Sequence, residues 1–152
     1  MTEGYHYTAS GLDYVYLQNG YTVHEHPKHG RGVSIENARG LHQVIASLIV
    51  SSPAPLRGQE VRFLRSQLKL SQAGLARVLQ QERGSVARWE ADPNKPIPGA
   101  ADSALRLFYA LSADGHELAK KIVGLLADID DLEHQMHVLQ FVATGGGWKK
   151  AA

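Results

Sequence analysis

Across residues 5–35 the hydrophobic and polar positions show no helical period. Tyr, Val and Gly are interleaved with polar residues, and turn signals stand at Gln18-Asn19-Gly20 and Pro27-Lys28-His29-Gly30. The pattern predicts short strands near Tyr14–Leu17, Tyr21–His26 and Gly32–Ile35, the first two joined through Asn-Gly, the strongest local hairpin signal. From Asn37 the period changes. Leu41, Val44, Ile45, Leu48 and Ile49 recur at helical spacing, and this helix is expected to cover one face of the small β-meander. Ser51-Ser52-Pro53-Ala54-Pro55 then breaks the helix, because neither proline continues a backbone ladder and each biases its predecessor to extended structure.

Beyond the prolines the helical period returns. A helix is expected over Gly58–Leu68 with Val61, Leu64 and Leu68 inward and Arg62, Arg65 and Lys69 outward, and another from Ala100 to Leu111 with Leu105, Phe108 and Leu111 inward. Between them, Ser71 to Glu90 reads as two short helices joined by a tight turn. The first buries Leu75, Val78 and Leu79 and the second Val86 and Trp89, while Ala76 is the small residue that a near-perpendicular helix crossing admits. Leu118, Ile122, Leu125, Ile129, Leu132, Met136 and Leu139 then alternate steps of four and three, a heptad seam with Leu at d. Such a seam serves pairing between chains or burial within one. A parallel pair would set Asp128 against Glu133, so antiparallel pairing or packing on the body is favoured.

The expected class is α+β. It comprises a β-rich domain at residues 1–52, an all-helical domain at 53–112, an amphipathic helix at 113–144 and a tail at 145–152. The chain lacks cysteine, which excludes disulfides and thiolate metal sites and makes a reducing cytoplasm the expected compartment. The N-terminus has no secretory pattern, and the longest apolar stretch, Leu41 to Val50, is too short to cross a bilayer. Lys plus Arg against Asp plus Glu is 3 to 4 over residues 1–55, 9 to 5 over 56–112 and 4 to 6 over 113–152. The positive excess therefore falls on the helical domain, as a phosphate-facing surface requires.

The run Ser71, Gln72, Leu75, Ala76, then Ser85, Val86, Arg88, Trp89 and Glu90, resembles the helix-turn-helix of the Xre (Cro/C1-type repressor) family. The resemblance implies a second helix lying in the DNA major groove while the start of the first sits on the backbone. It assigns Arg83, Gly84, Ser85 and Arg88 to the groove and Gln72 to the phosphate and its neighbouring groove residue. Arg83 and Arg88 are the expected specificity residues, since a guanidinium bridges guanine O6 and N7. Arg62, Arg65, Arg77 and Lys95 are further candidates for phosphate contacts. The chain departs from the family pattern at four positions. Gln80 occupies a turn position usually held by Gly, Gly74 stands where Glu is common, Gly84 offers no side chain for base reading, and Glu82 replaces the usual Ser or Thr cap.

His24, His26 and His29 share one expected hairpin and have nitrogen ligands for a zinc or nickel ion, although polar residues around an exposed turn would look the same; no metal or cofactor is expected. No nucleophile elbow, paired acid and base or nucleotide loop is present, so no enzyme is expected. A β-rich segment, a proline hinge and an Xre-type unit together are similar to the MqsA-type antitoxins, whose zinc-binding cysteines this chain lacks. The resulting expectation is a homodimeric repressor of its own or a neighbouring promoter, with double-stranded DNA as partner. The alternative is an antitoxin that masks a toxin through residues 1–50.

Overall fold

The computed structural model describes residues 4–113, 117, 121–122 and 140–151, and over them the chain is mixed α+β. The described elements are β1 (Tyr5–His6), a 3-10 turn (Thr8–Ser10), β2 (Tyr16–Leu17), β3 (Tyr21–His26), β4 (Gly30–Ile35), α1 (Ala38–Ser51), α2 (Gly58–Gln67), α3 (Gln72–Val78), α4 (Ser85–Glu90), α5 (Gly99–Ala113), β5 (Phe141–Thr144) and β6 (Gly147–Lys150). The strands form three separate two-stranded antiparallel sheets, β1 with β2, β3 with β4 and β5 with β6.

The helix boundaries follow local chemistry. Asn37 caps α1, its side-chain oxygen accepting from the Gly40 N–H at 3.2 Å, which satisfies one of the donors that a helix start leaves unpaired. At the start of α2, Glu60 reaches back so that its carboxylate accepts from the Arg57 N–H at 3.0 Å, the return half of a capping box. Gly58, the first residue of α2, lies so close to the carbonyls of Trp89 and Asp92 that an added Cβ would collide with both. Only glycine allows this approach of α2 to the end of α4.

The meander expected at the N-terminus is not formed. Tyr5 pairs with Leu17 and His6 with Tyr16, while β3 pairs only with β4, from Tyr21 opposite Ile35 to His26 opposite Gly30. The Asn19-Gly20 turn therefore joins two sheets and not two strands of one. The reason lies in the backbone: the Gly20 carbonyl accepts from the Glu36 N–H at 2.8 Å, so the chain after the turn continues the β3–β4 ladder. Helix α1 does not cover this hairpin, whose side chains are mostly exposed. Its inner face, Ile45, Ala46 and Ile49, is buried in one cluster with Leu12, Leu56, Val61, Leu64, Leu75, Val86 and Leu105.

That cluster spans the Pro53–Pro55 break. The break itself is held by Arg106 of α5, whose guanidinium donates to the carbonyls of Ile49, Val50, Ser52 and Ala54 and pairs with Asp102 at 2.5 Å; Asp102 in turn accepts from the Leu56 N–H at 2.7 Å. Carbonyls at the end of α1 and in the proline-rich turn thereby gain a side-chain donor. The heptad seam lies outside the described residues except for Ile122, which is helical together with Glu117 and Lys121. Residues 141–150, expected as the end of that helix and a tail, instead form the β5–β6 hairpin, turning at Gly145-Gly146.

Candidate nucleic-acid interface

Ser71 caps α3 by accepting from the Gly74 N–H at 2.9 Å, and Leu75, Ala76 and Val78 face inward. The helix ends in a Schellman motif: the Gln80 N–H donates to the Arg77 carbonyl at 3.1 Å and the Gln81 N–H to the Ala76 carbonyl at 2.8 Å. Gln80 sits at φ 55, so this non-glycine residue does adopt the left-handed conformation. Helix α2 ends the same way, with Lys69 at φ 58 and bonds from Lys69 to Ser66 and from Leu70 to Arg65. Two tight helix ends thus set α3 between α2 and α4. Ala76 is almost fully buried there, as expected for a small residue at a close helix crossing.

Gly84, at φ 95, turns the chain into α4, where Ser85 and Val86 are buried and Arg88 is exposed. The expected contact residues divide into two groups. Arg83, in the turn before α4, and Arg88, on α4, are exposed; Gln72, Arg62, Arg77 and Lys95 are exposed as well. Ser85 faces inward, its hydroxyl accepting from the Arg88 guanidinium at 3.0 Å. Gly84 is half-buried and contributes backbone only. Arg88 also lies 4.0 Å from the exposed carboxylate of Glu82.

Arg65 has a different task. Its guanidinium donates to both Glu90 oxygens, at 2.7 and 2.8 Å, and to the Leu70 carbonyl at 3.1 Å. The side chains are 18% and 5% exposed. The Glu90 hydrogen bond pushes the Arg65 pKa up, so the guanidinium stays charged. Gln72 joins the same carboxylate through its amide, at 3.3 Å. The network ties α2, α3 and α4 together. Lys69, read from the sequence as outward but not as a contact candidate, is exposed at the turn leading into α3, and its place two residues before the Ser71 cap is the signal that would have marked it.

Comparison with protein-family models, curated proteins and solved structures returned no match.

Among the described residues no three His, Asp or Glu side chains gather as a metal site. His24 bonds the Ser34 hydroxyl at 2.8 Å, and His26 accepts from the Lys28 N–H at 3.1 Å while its ring lies 4.7 Å from that of His29. No described helix is long and apolar enough to cross a membrane. The N-terminal tyrosines divide between core and surface. Tyr7 is buried, with its hydroxyl 2.9 Å from His42 Nε2 on α1, whereas Tyr14 and Tyr16 are exposed. They line an open groove of about 940 Å³ with Leu41, Val44 and Leu48 of α1 and the Pro55 turn. Val44 and Leu48 are 59% and 65% exposed, so the groove presents apolar side chains to solvent. At its rim Tyr14 donates to Glu60 at 3.2 Å; burial, then the adjacent carboxylate, pushes its pKa up to about 12.

Proposed function

We propose that the protein is a sequence-specific DNA-binding regulator of the Xre type, acting as a dimeric repressor, with α4 as the helix that enters the major groove. The observation that carries the reading is the exposure of Arg83, just before α4, and of Arg88, on it, beside a scaffold that fixes α4 through Gly58, Val86 and the Arg65–Glu90 pair. Phosphate contacts from Arg62, Arg77, Lys95 and Lys69 would position the domain, and Arg83 and Arg88 would read base edges, each good bidentate pair giving about 1–3 kcal/mol of discrimination. A dimer would place two such helices about one helical turn, ~34 Å, apart on an inverted repeat. Gly84 and the inward Ser85 leave Arg83 before α4 and Arg88 in its last turn as the two reading side chains, so sequence-dependent DNA shape would take a larger share of specificity.

The test is a mobility shift on the region upstream of the gene, with unrelated competitor DNA, comparing wild type with Arg83→Ala/Arg88→Ala. Selective binding by wild type that the double variant loses supports the reading; equal binding of both DNAs by wild type at moderate salt overturns it. A second reading, an antitoxin that masks a toxin through residues 1–50, draws support from the apolar groove beside α1, where Val44 and Leu48 are exposed. Co-purification of a toxin-sized neighbour gene product, abolished by Leu48→Asp, would favour it.

A further inference from the structure

The groove beside α1 combines a long apolar wall with an unspent cation. Leu41, Val44, Leu48 and the C-cap Ser52 line it at steps of three and four, a single stripe along α1. The charged residues among its described lining are Arg57 and Glu60. Glu60 is buried and its acceptors are taken. Its two oxygens accept from the Arg57 N–H at 3.0 Å, from Arg57 Nε and Nη2 at 2.9 and 3.1 Å, and from the Tyr14 hydroxyl at 3.2 Å. Those donors fill the roughly four acceptor positions of a carboxylate. Arg57 is not so filled. Its Nη1 donates to no described residue, its side chain is 31% exposed, and its guanidinium carbon lies 5.7 Å from the centre of the Tyr14 ring. The free edge of a guanidinium is a site for a second carboxylate.

We propose that this groove binds a medium-chain fatty carboxylate, its head group on the free edge of Arg57 and its chain along Leu41, Val44 and Leu48. The volume, about 940 Å³, falls within the range of roughly 300–1,000 Å³ that single small molecules fill. From Leu41 to Ser52 the stripe runs about 16 Å at 1.5 Å per residue. An extended hydrocarbon advances about 1.3 Å per carbon, given C–C bonds of ~1.5 Å, so a chain of about twelve carbons matches that length. The head group must be an anion. A cationic head would meet the guanidinium with no acceptor left on Glu60, and a neutral one would leave the charged hydrogen bonds unmade. Val44 and Leu48, 59% and 65% exposed, are the side chains whose apolar surface the chain would remove from water.

The test is equilibrium dialysis of the full chain against labelled dodecanoate and dodecanol, both below the concentration at which they aggregate. Wild type should bind dodecanoate saturably and at least about tenfold more tightly than dodecanol, the margin expected of charge-assisted hydrogen bonds. Val44→Asp sets a carboxylate in the apolar wall and should weaken dodecanoate binding by about tenfold or more. Val23→Asp, on the β3–β4 hairpin and outside the lining, is the control and should change it by less than about twofold. Both positions are exposed, so neither substitution disturbs the buried cluster. Arg57→Gln/Glu60→Gln removes the pair together, leaving no charge stranded, and should bring dodecanoate to within about twofold of dodecanol. Absence of saturable dodecanoate binding by wild type, equal affinity for acid and alcohol, or Val44→Asp indistinguishable from Val23→Asp overturns the proposal. A groove filled by a second copy would appear as a dimer that takes up no dodecanoate, which overturns it too.

Discussion

Removing the Arg65 guanidinium tests whether this residue is a phosphate contact or part of the frame. In Arg65→Ala the Glu90 carboxylate, 5% exposed, loses both short charged hydrogen bonds, at 2.7 and 2.8 Å, and retains only the Gln72 amide at 3.3 Å. The Leu70 carbonyl at the Schellman end of α2 loses its partner as well. Breaking a buried ion pair from one side costs on the order of 3–5 kcal/mol because the surviving charge stays buried. Arg65 itself is 18% exposed, so water reaches the vacated space and the lower end, about 3 kcal/mol, applies. With a urea m-value of roughly 2 kcal/mol/M, the midpoint should fall by about 1.5 M. Arg62→Ala, one turn away and exposed, is the control and should shift it by less than about 0.3 M. Replacing both partners, Arg65→Met/Glu90→Leu, should recover most of the loss, because no charge is left stranded. Urea unfolding followed by Trp fluorescence and by far-UV circular dichroism reports the midpoints. The reasoning is refuted if Arg65→Ala unfolds at the same urea concentration as Arg62→Ala.

Three further outcomes follow from particular sites. Glu82→Gln removes an exposed negative charge next to Arg88, and DNA affinity should rise by about threefold or more at low salt and converge with wild type as salt is raised, as read by fluorescence anisotropy. Gln80→Gly and Lys69→Gly, each at a positive φ, should stabilise by about 0.5–1 kcal/mol, or roughly 1–4 °C in melting temperature, by calorimetry. Tyr14 ionises late in the folded protein, with a pKa of about 12 against its ordinary 10.0. A pKa raised by folding contributes stability that is complete below pH 10 and is lost between pH 10 and 12. Burial raises Tyr7 and Tyr109 as well, so ultraviolet titration should show late phenols whose amplitude falls by one in Tyr14→Phe, and an unchanged late amplitude in that variant would remove the assignment.

The parts of the fold that were legible in the sequence are those with a local cause. Asn37 and Ser71 announce their helices because a cap acts within three residues, and Val61, Leu64, Leu75 and Val86 are buried where helical spacing put them. Gln80 lay at the turn where a left-handed residue was required, and its φ is positive. What failed to show was long-range pairing. Tyr5 and His6 form a strand only because Leu17 and Tyr16 lie beside them, and two residues carry no period. Only the Asp102–Arg106 pair, four residues apart, leaves a pattern; the rest of the task of Arg106 does not, since its other partners are four carbonyls that any sequence would supply. The same holds for Arg65, which looked like any outward arginine until Glu90, twenty-five positions away, proved to face it. The C-terminal hairpin did leave a trace: Gly145-Gly146 sits between Phe141-Val142-Ala143-Thr144 and a Trp-bearing run, which is a turn flanked by strand formers.

Glu90 links stability to the proposed reading of DNA. It is the acceptor that fixes Arg65 on α2, and it also holds the amide of Gln72 at the first turn of α3. Gln72 is the residue that the helix-turn-helix reading assigns to a phosphate and to its neighbour in the groove, so in the free protein that amide is already engaged. Its 3.3 Å bond is the longest of those made to the carboxylate, and its side chain is exposed, so giving it up leaves Glu90 with the two shorter bonds from Arg65 intact. A donor that can leave without stranding a buried charge can exchange between protein and DNA at little cost, whereas Arg65 cannot. On the proposed reading, Arg65, itself a phosphate candidate in the sequence, is therefore the residue that would leave the Gln72 amide free to exchange.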